Sequence, residues 1–142
     1  MKKHPERRWK QTDHIFFGFG ACHILAGVFL EQPPFDGFYC ERIVPTTGFS
    51  GSHMYDSNDL ISFDFHGYAV REKMLDRYWK GHRARYSRWN AEIVKINFPL
   101  LDTIELNVRK HLGPDQYFCD RIPRARIFIA SKKRPSELRK FI

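Results

Sequence analysis

The chain has 142 residues, 42% of them hydrophobic and 15% aromatic, with a formal net charge of +8. That is the size of one domain able to bury a core without metals or disulfides, and three irregularly spaced cysteines argue against a disulfide framework and for a reducing, cytoplasmic setting. No apolar run approaches the ~20 residues of a membrane span, and the basic start MKKHPERRWKQTDH leads into a stretch broken by Gly18, Gly20, Cys22 and His23, unlike a secretory signal.

Residues 1–12 read as a basic arm and 132–142 as a basic tail interrupted by Pro135, with a single domain between them. The first helix is expected from Gly20–Cys22 to Leu30, because Ile24, Leu25, Val28 and Phe29 recur at helical spacing and Pro33-Pro34 stop it. Cys22 then stands at the helix start, on one side with Leu25, Ala26 and Phe29. Phe38 to Val44 reads as a strand. His53–Ser57 and Leu60–Phe65 read as a hairpin turning at Asn58-Asp59. Counting outward from that turn sets His53 opposite Asp64 on one face, with Met54, Ile61, Phe63 and Phe65 on the other.

Residues 70–86 read as a helix with an apolar stripe of Val70, Met74, Leu75, Tyr78, Trp79 and Tyr86. Trp89–Phe98 reads as a strand stopped by Pro99. Residues 100–112 and 120–131 fit either a helix or a strand, with Asp120 a candidate cap for the latter. One helix, an antiparallel sheet and further helices give the α+β class.

The candidate catalytic residues are Cys22, His53 and Asp64. A free thiol titrates near ~8.5, and a helix N-terminus or a neighbouring imidazolium pulls it down, giving the thiolate that attacks. His53 would carry the proton and return it to a leaving group, while Asp64 fixes the imidazole tautomer. Backbone N–H groups at the helix start would face a developing oxyanion, with Gln11 or His14 as further donors. His66 is the substitute base and Asp56 the substitute orienter; Cys40 and Cys119 read as structural.

Over roughly residues 14–68 the order Cys22, His53, Asp64, followed by Asp64-Phe65-His66-Gly67, resembles the papain-like group that includes transglutaminase-like proteins, peptidoglycan peptidases and arylamine acetyltransferases. The resemblance implies a helix opening with the catalytic Cys, packed on an antiparallel sheet whose strands bear the His and the Asp. It also implies hydrolysis or transfer at an amide, ester or thioester, with no cofactor. Two features depart from the pattern: His23 follows the cysteine where many members have an aromatic residue, and residues 69–142 match no named member.

Other readings stay open. Cys22, His23, Cys40, His53 and Cys119 include zinc-ligand types, but no CxxC, HxxxH or HExxH spacing occurs, so no metal is expected. Residues 71–142 carry eighteen Lys/Arg against eight Asp/Glu, whereas residues 1–70 carry six against eight. That asymmetry suits an anionic substrate, nucleic acid or an acidic protein. Lys73, Arg77, Lys80, Arg83 and Arg85 interleave with Tyr78, Trp79 and Tyr86, as in a nucleic-acid-binding module. A catalytically silent papain-like or protein-interaction domain is the remaining alternative.

Overall fold

A computed structural model describes residues 17, 21–34, 36–109, 111–113 and 121–132. The basic arm, nearly all of the basic tail, Gln11, His14, Cys119 and Asp120 lie outside the described residues. The architecture is α+β. Helix α1 (Cys22–Glu31) leads to strands β1 (Tyr39–Pro45), β2 (His53–Ser57), β3 (Ile61–Asp64) and β4 (Gly67–Val70). Helix α2 (Arg71–Arg85), strand β5 (Ala91–Lys95) and helices α3 (Thr103–Val108) and α4 (Arg121–Ser131) follow. The five strands form one sheet in the order β4-β3-β2-β1-β5, every pair antiparallel.

The period-two pattern of the strands divides the core. Cys40, Met54 and Phe63 point to one face, which α1 covers; Ile43 and Tyr55 point to the other, under α2. Helix α1 lies between the sheet and α4, so residues on all its sides are buried, from His23 through Phe29. Its Phe29 ring stacks on Phe63 at 4.4 Å between centroids, a pairing worth about 0.5–1.5 kcal/mol beyond its buried area. Gly27 is where the loop after β5 comes closest: a Cβ there would lie 2.9 Å from Leu101 Cδ2.

Helix α2 has Glu72 in its first turn and His82, Arg83 and Arg85 in its last, matching the helix dipole. It is fastened to the sheet by Arg71, whose Nε and Nη2 meet both oxygens of buried Glu41 at 2.9 and 3.1 Å; Tyr55 Oη donates to the same carboxylate. The ambiguous segments resolve as helices. In α3, Asp102 caps the N-terminus by accepting from Glu105 N–H at 3.0 Å.

Two expectations need correction. The hairpin turns at Asp59-Leu60, because Asn58 N–H donates to Ile61 O and the Asn58 side-chain oxygen accepts from Leu60 and Ile61 N–H. Asp59 takes the positive φ of 79°, and Asp56 pairs with Phe63. Continuing that register sets Tyr55, not His53, opposite Asp64. The chain also forms β4 between the hairpin and α2, where the helix pattern alone had been expected to begin at Val70.

Candidate functional site

The register correction moves the pairing by two residues, so the faces are preserved. His53, Tyr55 and Asp64 still project from one side, and His53 reaches Asp64 diagonally, a span of about 7–8 Å between strand positions that long side chains bridge. His53 Nε2 lies 3.0 Å from Asp64 Oδ2, with both residues buried at 3% and 6% exposure. Asp64 serves two purposes at once. Its Oδ1 accepts the His66 N–H at 2.8 Å, which closes the turn into β4, and its Oδ2 remains for His53. Gly67, with φ of 96°, completes that turn.

The loop before His53 is pinned to α2 and to the segment that follows it. Trp89 Nε1 donates to Ser50 O at 2.8 Å, and Tyr78 Oη donates to Gly51 O. A Cβ at Gly51 would lie 2.6 Å from the His82 ring, so only glycine allows this approach. The His53 imidazole is itself held between rings: Tyr78 stacks on it at 5.6 Å and 12°, and Phe65 meets it edge-on at 5.5 Å.

Cys22, the first residue of α1, packs against Ala26, Cys40, Met54 and Leu100, and the His23 and His53 imidazoles lie close enough to act on its thiol. With Nε2 of His53 taken by Asp64, Nδ1 is the nitrogen left for the sulfur. His23 is anchored in turn, its Nε2 lying 2.8 Å from Leu112 O. Burial alone would raise the thiol, but the hydrogen bonds and charges of His23 and His53 outweigh it and pull Cys22 down to about 5. Burial would also depress His53, yet the bonds and charges of Asp64 and Cys22 lift it to about 9. Asp64, despite its burial, is held well below the usual carboxylate range by His53 and His66. The three shifts run in the directions that favour a thiolate beside an imidazolium backed by a carboxylate.

The rival residues sit elsewhere. His66 contacts the outer oxygen of Asp64, its Nδ1 at 3.4 Å, and is not the ring aligned with Cys22. Asp56 is fully buried on the opposite face of β2 from His53, with neither carboxyl oxygen hydrogen-bonded; it cannot orient this imidazole. Cys40 is buried, and its thiol is pushed up by desolvation and the Asp56 and Cys22 charges. Among the described residues no three His, Cys, Asp or Glu side chains converge as a metal site, and no helix is long and apolar enough to cross a membrane.

Sequence reasoning missed the parts played by His23 and Tyr78. Tyr78 looked like an ordinary member of an apolar stripe, and the partner of His23 lies 89 residues away; neither contact leaves a local signal. Comparison with family models, with curated proteins and with solved structures found no match.

Proposed function

We propose that this chain is a thiol-dependent acyl hydrolase or acyltransferase in which Cys22 is the nucleophile, His53 the base and acid, and Asp64 the orienter. The observation that carries the reading is the buried His53–Asp64 pair, 3.0 Å apart, beside a thiol that His53 helps to hold acidic. In the first step the Cys22 thiolate attacks an acyl carbon, and the carbonyl oxygen gains the negative charge. The N–H groups of Cys22 and His23, at the first turn of α1, have no acceptor within their own helix and are the donors available to that oxyanion. Collapse expels an amine, alkoxide or thiolate, which takes the proton from His53 and leaves a thioester on Cys22. Water or another acceptor then gives its proton to His53 and attacks the thioester, restoring the thiolate. No step requires a cofactor.

The papain-like resemblance belongs to the same proposal: a helix opening with the nucleophile and packed on an antiparallel sheet that bears base and orienter is the arrangement such a core uses. Two of the three aromatic side chains a nucleic-acid module would use for stacking are engaged internally, Tyr78 on His53 and Trp79 against Trp89, while Tyr86 is exposed; the first two favour the acyl-transfer reading. Incubation with a panel of activated esters and thioesters, followed by intact-mass and peptide mapping, tests it. A hydroxylamine-sensitive adduct on Cys22, absent from Cys22→Ser and long-lived in His53→Ala, is expected. Adducts distributed without preference for Cys22 would refute it.

A further inference from the structure

Helix α2 carries a glycine in its interior, four residues before its end, where the fold does not ask for one. Glycine is among the poorest residues in a helix interior, and a Cβ built on Gly81 would meet no atom within 4 Å. Gly27 and Gly51, by contrast, are each pressed against a neighbour. What the missing side chain leaves open is one wall of a cavity of about 280 Å³. Arg77 and Arg85, four residues before and after Gly81, line it, together with Tyr78 and the Asp64–His66 end of the hairpin.

The charges in this cavity are one-sided. Neither Arg77 nor Arg85 has a hydrogen-bond or ion-pair partner among the described residues. The one carboxylate in the wall, Asp64, is already engaged by His53 at 3.0 Å and by the His66 N–H at 2.8 Å. Two guanidiniums flanking an open stretch of helix offer forked donors to a planar or tetrahedral anion. The cavity also adjoins the candidate site, since Asp64 bonds His53 and Tyr78 stacks on it.

We propose that this cavity binds one anionic group, a carboxylate or a phosphate, between Arg77 and Arg85. The identity of the group as part of the acyl substrate or its leaving group rests on the acyl-transfer reading; a free anion offers the same chemistry.

Titration of the full-length chain with inorganic phosphate, followed by amide NMR shifts, tests the site directly. Saturable shifts at Tyr78 and Gly81 are expected, with binding about tenfold weaker in Arg77→Gln and in Arg85→Gln. Gly81→Ala is expected to raise the melting temperature, because alanine is the better helix former, while weakening phosphate binding about fivefold by filling the wall. Absence of saturation, or binding unchanged in both arginine variants, would overturn the proposal. To separate the sources, acylation of Cys22 is compared for a thioester donor bearing a carboxylate and its neutral isostere. If the anion belongs to the substrate, Arg85→Gln lowers the preference for the charged donor about tenfold. If a free anion is the ligand, that preference is unmoved and phosphate alters both rates alike. Failure of every donor to acylate Cys22 would count against the enzyme reading, and the phosphate titration would still decide the cavity.

Discussion

Removing the His53 imidazole is the sharpest test of the site, and its readout is the pH at which Cys22 becomes reactive. With the thiol at about 5 instead of its ordinary 9.0, roughly nine-tenths is thiolate at pH 6, against about one part in a thousand for an unperturbed thiol. A more acidic thiolate is also a weaker nucleophile. A Brønsted coefficient of about 0.4–0.5 over that difference subtracts about 40- to 100-fold. The two effects nearly cancel at pH 7 and leave a net advantage of about tenfold at pH 6. Alkylation by iodoacetamide, resolved by peptide mapping between pH 4 and 10, should thus show Cys22 inflecting near 5 and outpacing the urea-unfolded chain only below neutrality. A hydrogen bond to a charged group is worth about 1.5–3 kcal/mol, or about one to two pK units, so His53→Ala should raise the inflection by that much. A wild-type inflection above about 8, or one that His53→Ala leaves in place, would refute the ion pair.

Asp64→Asn removes a depressed carboxyl, whose stability contribution is present above its unfolded value of about 3.8 and is lost as pH falls through the folded one. The variant should lose about 3–5 kcal/mol at pH 7, and urea titrations should find that deficit shrinking below pH 4; a constant deficit would contradict the linkage. Asp56 has the opposite sign: burial holds its carboxyl well above the carboxylate range, so it weakens the fold as pH rises past its unfolded value. Asp56→Val should stabilise by about 1–3 kcal/mol at neutral pH, read as a higher urea midpoint, and a lower midpoint would mean the acid has a partner. His23→Leu should raise the Cys22 alkylation inflection in the wild-type His53 background, whereas no movement would assign the thiol's acidity to His53 alone. In Tyr78→Phe the ring on His53 remains and the bond to Gly51 is lost, so the inflection should hold; Tyr78→Ala should cost about 3 kcal/mol or more and broaden His53 imidazole NMR signals.

The legible parts of this fold are those with local punctuation. Pro33-Pro34 ends α1, and the turn chemistry around Asn58 announces the hairpin, but whether Asn58 stands inside the turn or opens it depends on where its side chain bonds. A displacement by two residues keeps every side chain on its face, which is why His53 and Asp64 meet although the expected register is wrong. Strand β4 is invisible to pattern reading because Val70 ends the strand and caps α2 with no side-chain hydrogen bond to mark the change. The acidity of Cys22 has a part no short window contains, because His23 is positioned by the carbonyl of Leu112.

That last tether carries a consequence for how the protein comes into being. A ribosome releases Cys22, His23, His53 and Asp64 long before it reaches Leu112, so one of the two imidazoles beside the nascent sulfur goes unanchored until that carbonyl has emerged. Premature termination ahead of that carbonyl should therefore yield a more basic sulfhydryl, measurable as a later titration midpoint in the shortened product.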